Sequence, residues 1–319
     1  MGRSRRGRAL DGILILDKPA GPTSNQALQT VKRLFGAAKA GHTGSLDPLA
    51  TGVLPICFGE ATKFTQFLLL ADKAYSATFR LGVATTTGDV QGEVVAERPA
   101  EHLGLAAVEA AAAGFRGAIA QVPSMYSALK QNGRPLYELA RQGIAVERAA
   151  REVHIHEFRI DAFRPGVHPE IEVSIHCSKG TYVRSLAEDL GAALGCGAHV
   201  ARLRRTAAGP FGAAEAVTLE RVSALFDTAE LDALLLPADA AVADRPRLDL
   251  TDNPAWYFVR GQAVVVPEAL HGNVDRGELV RVFRAPDQFL GLGQSLGDGR
   301  IKPHRLVCGA EQRVIPATA

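Results

Sequence analysis

Residues 41–55, with the sequence GHTGSLDPLATGVLP, concentrate groups that could do chemistry. They contain one imidazole, His42, and one carboxylate, Asp47, among three glycines and two prolines. Glycine lets the backbone approach a ligand closely and proline fixes φ, so such a segment holds its side chains in one arrangement. A carboxylate held in this way could act as a nucleophile or stabilise positive charge. Composition alone also allows a structural turn in which Asp47 caps a helix or closes an Asx-turn.

Three further polar side chains stand at places where they could be functional. Arg184 lies in the segment CSKGTYVRSLA, residues 177–187. Tyr75 lies in a predicted strand, and Lys18 precedes the turn PAGP. Each also has a simpler interpretation. Arg184 could be a surface cation of a helix, Tyr75 a packing residue and Lys18 a solvated lysine in a turn.

Two familiar motifs fail their structural requirements. Residues 293–297, GQSLG, match the GxSxG pattern of serine hydrolases, but a turn and a proline follow where that chemistry needs a helix. Gly36 and Gly41 have the spacing of a phosphate-binding P-loop, but His42 stands where the lysine must be. The four cysteines lack the spacing of zinc ligands, and no GxGxxG or EF-hand pattern occurs. We therefore expect an enzyme without a cofactor or a metal.

The composition is that of a globular protein, with 47% hydrophobic and 22% charged residues among 319. The net charge of +2 hides an uneven distribution. Residues 1–42 contain eight Lys and Arg against two Asp, whereas residues 206–252 contain three Arg against nine Asp and Glu. The mean charge therefore does not exclude a polyanionic partner. The apolar runs are far shorter than the roughly 20 residues that span a bilayer, and scattered cysteines without a signal peptide predict a cytoplasmic protein.

The hydrophobic pattern predicts the elements that must position these groups. Strands are predicted at residues 9–18, 74–83, 155–163 and 170–177, and helices at 23–34, 104–117, 182–194 and 219–236. Residues 41–55 are predicted to form an irregular loop. From residue 247 onward, short strands, one of them at 257–259, alternate with turns and predict a small β-barrel. The pattern indicates a mixed α/β chain of the α+β class.

Several segments fall together in motifs of one enzyme family. They are residues 12–24, 41–55, 75–82, 126–143, 177–187 and 197–211, followed by residues 260–262, 289–291 and 303–306. Over nearly the full chain these segments resemble the TruB family of tRNA pseudouridine synthases. The resemblance implies a pseudouridine synthase catalytic domain with a largely antiparallel central sheet at residues 1–246. It also implies an RNA-binding insertion at about residues 122–152 and a PUA-like RNA-binding barrel at residues 247–312.

The resemblance also implies an activity and a partner. Uridine 55 in the T-loop of tRNA would be flipped out and isomerised to pseudouridine, a reaction that needs no cofactor. The implied partner is tRNA through its T-stem-loop, bound by a monomer without a membrane or a required protein partner. Two other functions stay open: an RNA-binding or tRNA-folding protein without catalysis, and a synthase that depends on a guide RNA.

Residue roles follow from the same resemblance. Asp47 would be the nucleophile or charge stabiliser, Arg184 its ion-pair partner, and Tyr75 the tyrosine that stacks on the uracil and takes part in proton transfer. His42 would enter the space left by the flipped nucleotide. Tyr182 and Leu203 would line the pocket above Lys18 and Pro19. The phosphate contacts are assigned to cations of the insertion and of the region beyond the pocket, half of which could be ordinary surface charges: Lys130, Arg134, Arg141, Arg202, Arg204 and Arg205.

The chain departs from the family pattern at two of these places. Ser124 stands where a second proline is usual, and Val200 replaces a common leucine. We expect neither residue to touch the chemistry. The acidic residues 206–252 are expected to lie away from the RNA.

Overall fold

The computed structural model describes residues 7–127, 129–131, 133–144, 146–266, 274–284 and 286–307, apart from the side chain of Lys130. The helices are α1 (Ser24–Leu34), α2 (Thr65–Leu70), α3 (Leu105–Ala113), α4 (Leu136–Arg141), α5 (Val183–Ala193), α6 (Leu219–Ala224) and α7 (Asp252–Phe258). The strands are β1 (Gly12–Lys18), β2 (Ala40–His42), β3 (Thr51–Phe58), β4 (Lys73–Leu81), β5 (Val83–Thr85), β6 (Val94–Glu97), β7 (Gly117–Gln121), β8 (Lys130–Gln131), β9 (Arg134–Pro135), β10 (Arg151–Arg164), β11 (Glu170–Cys177), β12 (Ala198–Ala208), β13 (Phe211–Gly212), β14 (Val217–Thr218), β15 (Arg247–Leu250), β16 (Val264–Val265), β17 (Leu279–Arg284), β18 (Gln288–Ser295) and β19 (Arg300–Leu306).

A ten-stranded sheet forms the larger part of the molecule. Its order is β14-β1-β3-β12-β4-β11-β10-β7, with β2 beside β3 and β13 beside β12. Two of its pairings are parallel, β1 with β14 and β12 with β3, and the others are antiparallel. The prediction of a mixed α/β fold with a largely antiparallel central sheet is confirmed.

Helices α1 and α5 pack against the core of this sheet. Thr23 caps α1 because its hydroxyl accepts a hydrogen bond from the Gln26 amide, while the Gln26 side chain accepts one from the Thr23 amide. Along α5, Val183, Leu186 and Leu190 recur at helical spacing and are buried. Both helices were predicted from this periodicity.

The C-terminal part contains a second, five-stranded sheet in the order β15-β17-β18-β19-β16. It packs against the large sheet through one apolar cluster, in which the rings of Phe64 and Phe289 lie 5.5 Å apart. A C-terminal β domain is therefore present, while the closure of a PUA-like barrel stays a prediction. No helix among the described residues is long and apolar enough to cross a membrane.

Two local predictions, for residues 257–259 and 219–236, are wrong. Residues 257–259 are not a strand, because Ala255 and Phe258 are buried at helical spacing within and at the end of α7. The helix predicted at 219–236 ends with α6. Asp227 then adopts a left-handed φ of 62°, and the Leu236 backbone forms a bridge to Ile13.

The segment 41–55 is less irregular than predicted, because it begins in β2 and ends within β3. Gly52, with a φ of 103°, lies within β3, where a Cβ would stand 2.1 Å from the Arg205 carbonyl oxygen. Pro55 fits the strand because its carbonyl, and with it the position of its missing N–H, lies on the side away from β1. The carbonyl accepts a hydrogen bond from the Thr43 amide on that side. Only residues 43–50 remain as a connecting loop, called the Asp47 loop below.

Candidate active site

The Asp47 loop is fixed through its main chain. The Ser24 hydroxyl, buried at the start of α1, donates to the Leu46 carbonyl at 3.0 Å and accepts from the Leu46 amide at 2.7 Å. The Gly21 amide donates to the Pro48 carbonyl, and the Ala50 amide to the Asp47 carbonyl. These contacts fix the backbone on both sides of the Asp47 carboxylate.

Lys18 lies beneath the loop and is fully buried. Its ammonium donates to the carbonyls of Ala50 at 2.7 Å, Pro19 at 2.8 Å and Pro48 at 3.4 Å. Burial lowers the Lys18 pKa to about 8, although the nearby Asp47 raises it. Lys18 is therefore no solvated turn lysine, and its charge supports the loop from below.

Arg205 supports the other end of the loop. Only 1% of this residue is exposed, and its guanidinium donates to the carbonyls of Val53 at 2.6 Å and Gly44 at 3.2 Å. This burial argues against the phosphate contact that we expected for Arg205. Its position instead suits a role in holding the loop.

Arg184 binds the Asp47 carboxylate with two parallel hydrogen bonds. The Nε atom donates to Oδ2 at 2.8 Å and the Nη2 atom to Oδ1 at 3.2 Å. The Arg184 side chain is 3% exposed, whereas that of Asp47 is 36% exposed. The carboxylate is thus held by a buried cation and still reaches the cavity. Arg184 is not a surface cation.

The remaining donors of Arg184 are also occupied. Its Nη1 atom donates to the Thr87 carbonyl at 2.8 Å, and its Nη2 atom to the Tyr126 carbonyl at 3.0 Å. A second buried carboxylate, that of Asp89, lies 3.8 Å from Nε. Burial raises the pKa of the Asp47 carboxyl, and the Arg184 guanidinium opposes that shift. Since both oxygens accept bonds from a group that stays protonated, the pairing favours the ionised form.

Asp47 opens into a cavity of about 370 Å³ that Tyr75 and Arg184 also line. Tyr182 and Leu203 line it as well, as the sequence predicts. Burial raises the pKa of the Tyr75 hydroxyl, although the hydrogen-bonded Arg205 guanidinium opposes the shift. The phenol therefore carries its proton at neutral pH. A volume of this order is within the usual range for small-molecule sites.

His42 and Pro19 lie near this cavity but do not line it. His42 ends β2, and its buried Nδ1 atom has no hydrogen-bond partner among the described residues. Burial and the neighbouring Arg205 both lower the His42 pKa, so the ring is neutral at pH 7. Pro19 accepts the Lys18 bond through its carbonyl.

The predicted phosphate contacts differ in their surroundings. Arg204 forms a bidentate pair with Asp17 at 2.7 and 3.0 Å, whereas Arg202 is exposed. In the insertion, Arg141 is exposed and its guanidinium lies 5.5 Å from the centre of the Tyr137 ring. The Lys130 side chain lies outside the described residues.

Sequence reasoning missed a set of contacts that join the insertion to α5. Residues 121–126, called the insertion root below, hold Tyr182, Arg184 and Ser185 through side-chain and carbonyl contacts. Ser124 belongs to this set because its hydroxyl accepts from Arg184 Nη1 at 3.4 Å. Ser124 therefore contacts the partner of Asp47, although it does not line the cavity, and the expectation that it does not touch the chemistry stays a prediction. Among the described residues, no group of three His, Cys, Asp or Glu side chains could hold a metal ion.

Three family models match the chain in succession. The N-terminal domain of TruB family pseudouridylate synthases matches residues 32–183, and the C-terminal domain of tRNA pseudouridylate synthase B matches residues 184–243. The C-terminal model of pseudouridine synthase II TruB matches residues 246–307.

Similar proteins extend over almost the whole chain. The tRNA pseudouridine synthase B of Saccharophagus degradans is 54% identical over 310 residues, which cover 96% of this chain and 98% of that protein. The protein of the same description from Pseudomonas aeruginosa is 53% identical over 303 residues, covering 94% and 97%. Among solved structures, a chain in the crystal structure of a Cbf5-Nop10-Gar1 complex matches with a TM-score of 0.69 and 26% identity, covering 92% of this chain and 83% of that chain.

Proposed function

Since this chain belongs to the TruB family of pseudouridylate synthases, we propose that it converts uridine 55 in the T-loop of tRNA to pseudouridine. The observation that carries the proposal is the Asp47 carboxylate, bound by Arg184 on one side and open to the cavity on the other. The similarity to proteins described as tRNA pseudouridine synthase B supports tRNA as the substrate.

In the proposed reaction, Asp47 acts on the uridine in its ionised form. The carboxylate either attacks as a nucleophile or stabilises positive charge at C1′ while the bond from C1′ to N1 breaks. The base then turns, C1′ bonds to C5, C5 loses its proton and N1 gains one, so that the product is an isomer. Arg184 keeps the carboxylate oriented, and the contacts of the Asp47 loop remove the cost of ordering it during the reaction.

Tyr75 and His42 have complementary roles in this proposal. The Tyr75 ring lines the cavity beside Asp47, where it can stack on the uracil, and its protonated hydroxyl can take part in the late proton transfer. A uracil inside a folded T-loop is reached only by base flipping, which costs a few kcal/mol. The neutral His42 ring would offset part of that cost by occupying the vacated space.

The remaining assignments are parts of the same proposal. Residues 1–246 form the catalytic domain, the insertion at about 122–152 and the exposed Arg141 and Arg202 contact phosphates, and residues 247–312 form a PUA-like RNA-binding domain. Tyr182 and Leu203 bound the base pocket. The enzyme would act in the cytoplasm as a monomer, and neither a cofactor nor a protein partner would be required.

Replacing one carboxylate oxygen of Asp47 tests the chemistry. We expect Asp47→Asn to abolish pseudouridine formation on a T-stem-loop transcript, a loss of at least about 10³-fold, while the affinity for the transcript is retained. The readout is pseudouridine content under single-turnover conditions together with a binding titration. Turnover by Asp47→Asn at a rate near that of the wild type would overturn the proposal.

The same assay separates the two other functions. Activity of the wild type on the bare transcript, without guide RNA or a protein partner, excludes the guide-dependent type. The 54% identity to a tRNA pseudouridine synthase B, against 26% to the chain of the Cbf5-Nop10-Gar1 complex, favours that outcome. A protein that only binds or folds tRNA would bind the transcript and leave its uridine unchanged.

A further inference from the structure

The side chain of Gln121 binds both the main-chain amide and the main-chain carbonyl of one residue in the active site. Gln121 is the last residue of β7 and is 1% exposed. Its Oε1 atom accepts a hydrogen bond from the Tyr182 amide at 2.7 Å, and its Nε2 atom donates to the Tyr182 carbonyl at 3.0 Å. A primary amide offers one donor and one acceptor side by side, which matches this pair of backbone groups.

Tyr182 is a critical place for such a contact. It precedes α5 directly and has no side-chain cap of its own, and its carbonyl accepts the first hydrogen bond of the helix, from the Leu186 amide. Tyr182 lines the cavity, and Arg184, two residues later, binds Asp47. Gln121 therefore fixes the position from which both the pocket wall and the guanidinium extend.

The insertion root makes further contacts with the same turn. The Ser185 hydroxyl donates to the Val122 carbonyl at 3.1 Å, and Arg184 donates to the Tyr126 carbonyl at 3.0 Å. The chain that leads into the insertion and the helix that carries Arg184 thus meet through a short series of partly buried hydrogen bonds. Of these, the contact of Gln121 is the one with two bonds to the main chain.

We propose that Gln121 is a positioning residue that holds the start of α5, and with it Arg184, in register with Asp47. This inference rests on the proposed function for its effect on turnover, but the contact itself can be observed without RNA. Gln121 does not itself line the cavity, and the side-chain hydrogen bonds of the Asp47 carboxylate come from Arg184. Any effect of Gln121 on the reaction therefore passes through Tyr182 and Arg184.

Gln121→Glu tests the proposal with almost no change in side-chain size. A carboxylate can still accept from the Tyr182 amide, but it cannot donate to the Tyr182 carbonyl and places an oxygen against it. Gln121→Met removes both bonds. Ser185→Ala is the matched control, since it removes one buried hydrogen bond from the same turn and leaves the Gln121 contact intact. Circular dichroism and thermal unfolding establish that each variant is folded.

Four quantities are measured on each protein: the single-turnover rate, the Kd for the transcript, the pH profile of the rate and the hydrogen exchange of the Tyr182 amide. The single-turnover rate on the T-stem-loop should fall about tenfold in Gln121→Glu and up to about 100-fold in Gln121→Met, while the Kd for the transcript changes less than about threefold. Because Arg184 lowers the Asp47 pKa, a displaced guanidinium should move the acidic limb of the rate profile to higher pH. Hydrogen exchange of the Tyr182 amide should accelerate in Gln121→Met, which offers this amide no acceptor, and stay unchanged in Ser185→Ala.

The outcomes are distinct. Equal rate losses in Gln121→Met and Ser185→Ala, or an acidic limb that does not move, would overturn the positioning role. If the wild type forms no pseudouridine, the proposed function fails, and the exchange of the Tyr182 amide still decides whether Gln121 holds α5. Unchanged exchange in Gln121→Met overturns the inference whatever the activity.

Discussion

The two sides of the active site each contain a buried arginine, and the two guanidiniums have opposite surroundings. Arg205, on the side of the Asp47 loop, donates hydrogen bonds to the carbonyls of Val53 and Gly44. It also forms a hydrogen bond with the Tyr75 hydroxyl. Arg184, on the side of α5, binds Asp47 and lies 3.8 Å from Asp89. The same residue type therefore supports the backbone on one side and orients a reactive carboxylate on the other.

The difference extends to the groups nearby. Burial lowers the pKa values of Lys18, His42 and Lys73, and the positive charge of Arg205 adds to each of these shifts. The charge of Arg184 is matched by the two carboxylates beside it. The Arg184 guanidinium therefore orients Asp47 through its fixed donors and also opposes the rise in the Asp47 pKa that burial causes. Arg205 instead supports the backbone through the carbonyls of Val53 and Gly44.

The same substitution at both arginines tests this comparison, and the larger effect is expected at position 184. Arg184→Lys keeps the charge but loses the two parallel bonds to Asp47, because an ammonium cannot match both oxygens in one plane. We expect the single-turnover rate to fall roughly 10²-fold. The free energy of unfolding should fall by about 2 kcal/mol, because a lysine leaves the Thr87 or the Tyr126 carbonyl without its donor. Urea titration and a pseudouridine assay measure the two quantities.

Arg205→Lys should cost similar stability but much less turnover. A lysine reaches one of the two carbonyls and leaves the other buried without its donor, which lowers the free energy of unfolding by about 2 kcal/mol. Turnover should fall less than about tenfold, since Lys18 and Ser24 still hold the loop. If the activity loss at position 205 exceeds that at position 184, the conclusion that Arg205 supports the backbone while Arg184 orients the reactive carboxylate is wrong.

Sequence patterns predicted this site unevenly. Periodicity located α1, α5, β4 and β11, because apolar spacing reports burial directly. The family resemblance pointed to Asp47, Arg184 and Tyr75, which the fold brings around one cavity. The bond from Arg184 to Asp47 spans 137 positions and that from Gln121 to Tyr182 spans 61. Local patterns carry no information on such distant pairs, so Gln121 and the burial of Arg205 could not be predicted.

Lys18 provides a pH test of the loop side. Its pKa is about 8 in the folded protein against an ordinary value of 10.5, so between these pH values the unfolded chain binds the extra proton. Stability due to Lys18 should therefore rise as the pH increases from about 8 to about 10. We expect the free energy of unfolding of the wild type, relative to Lys18→Met, to increase by about 2 kcal/mol over that interval.

Lys73 also has a lowered pKa of about 8, but it is present in both proteins and cancels in the difference. The thiols of Cys57 and Cys177, whose pKa values burial raises to about 12 and about 11, act in the opposite direction and cancel too. A difference between wild type and Lys18→Met that stays constant from pH 8 to pH 10 would show that Lys18 keeps its proton in the fold. Lys18 would then stay positively charged throughout this pH range, as Arg205 does.

We expect the smallest effect at Ser124, which contacts Arg184 from the insertion root. Its hydroxyl accepts a hydrogen bond from Arg184 at 3.4 Å, which is the longest hydrogen bond of this guanidinium. Ser124→Ala removes that acceptor but leaves Asp47, Thr87 and Tyr126 as partners, so the single-turnover rate should fall less than about threefold. A loss comparable to that of Arg184→Lys would mean that the insertion root orients the guanidinium through Ser124 rather than through the Tyr126 carbonyl and the start of α5.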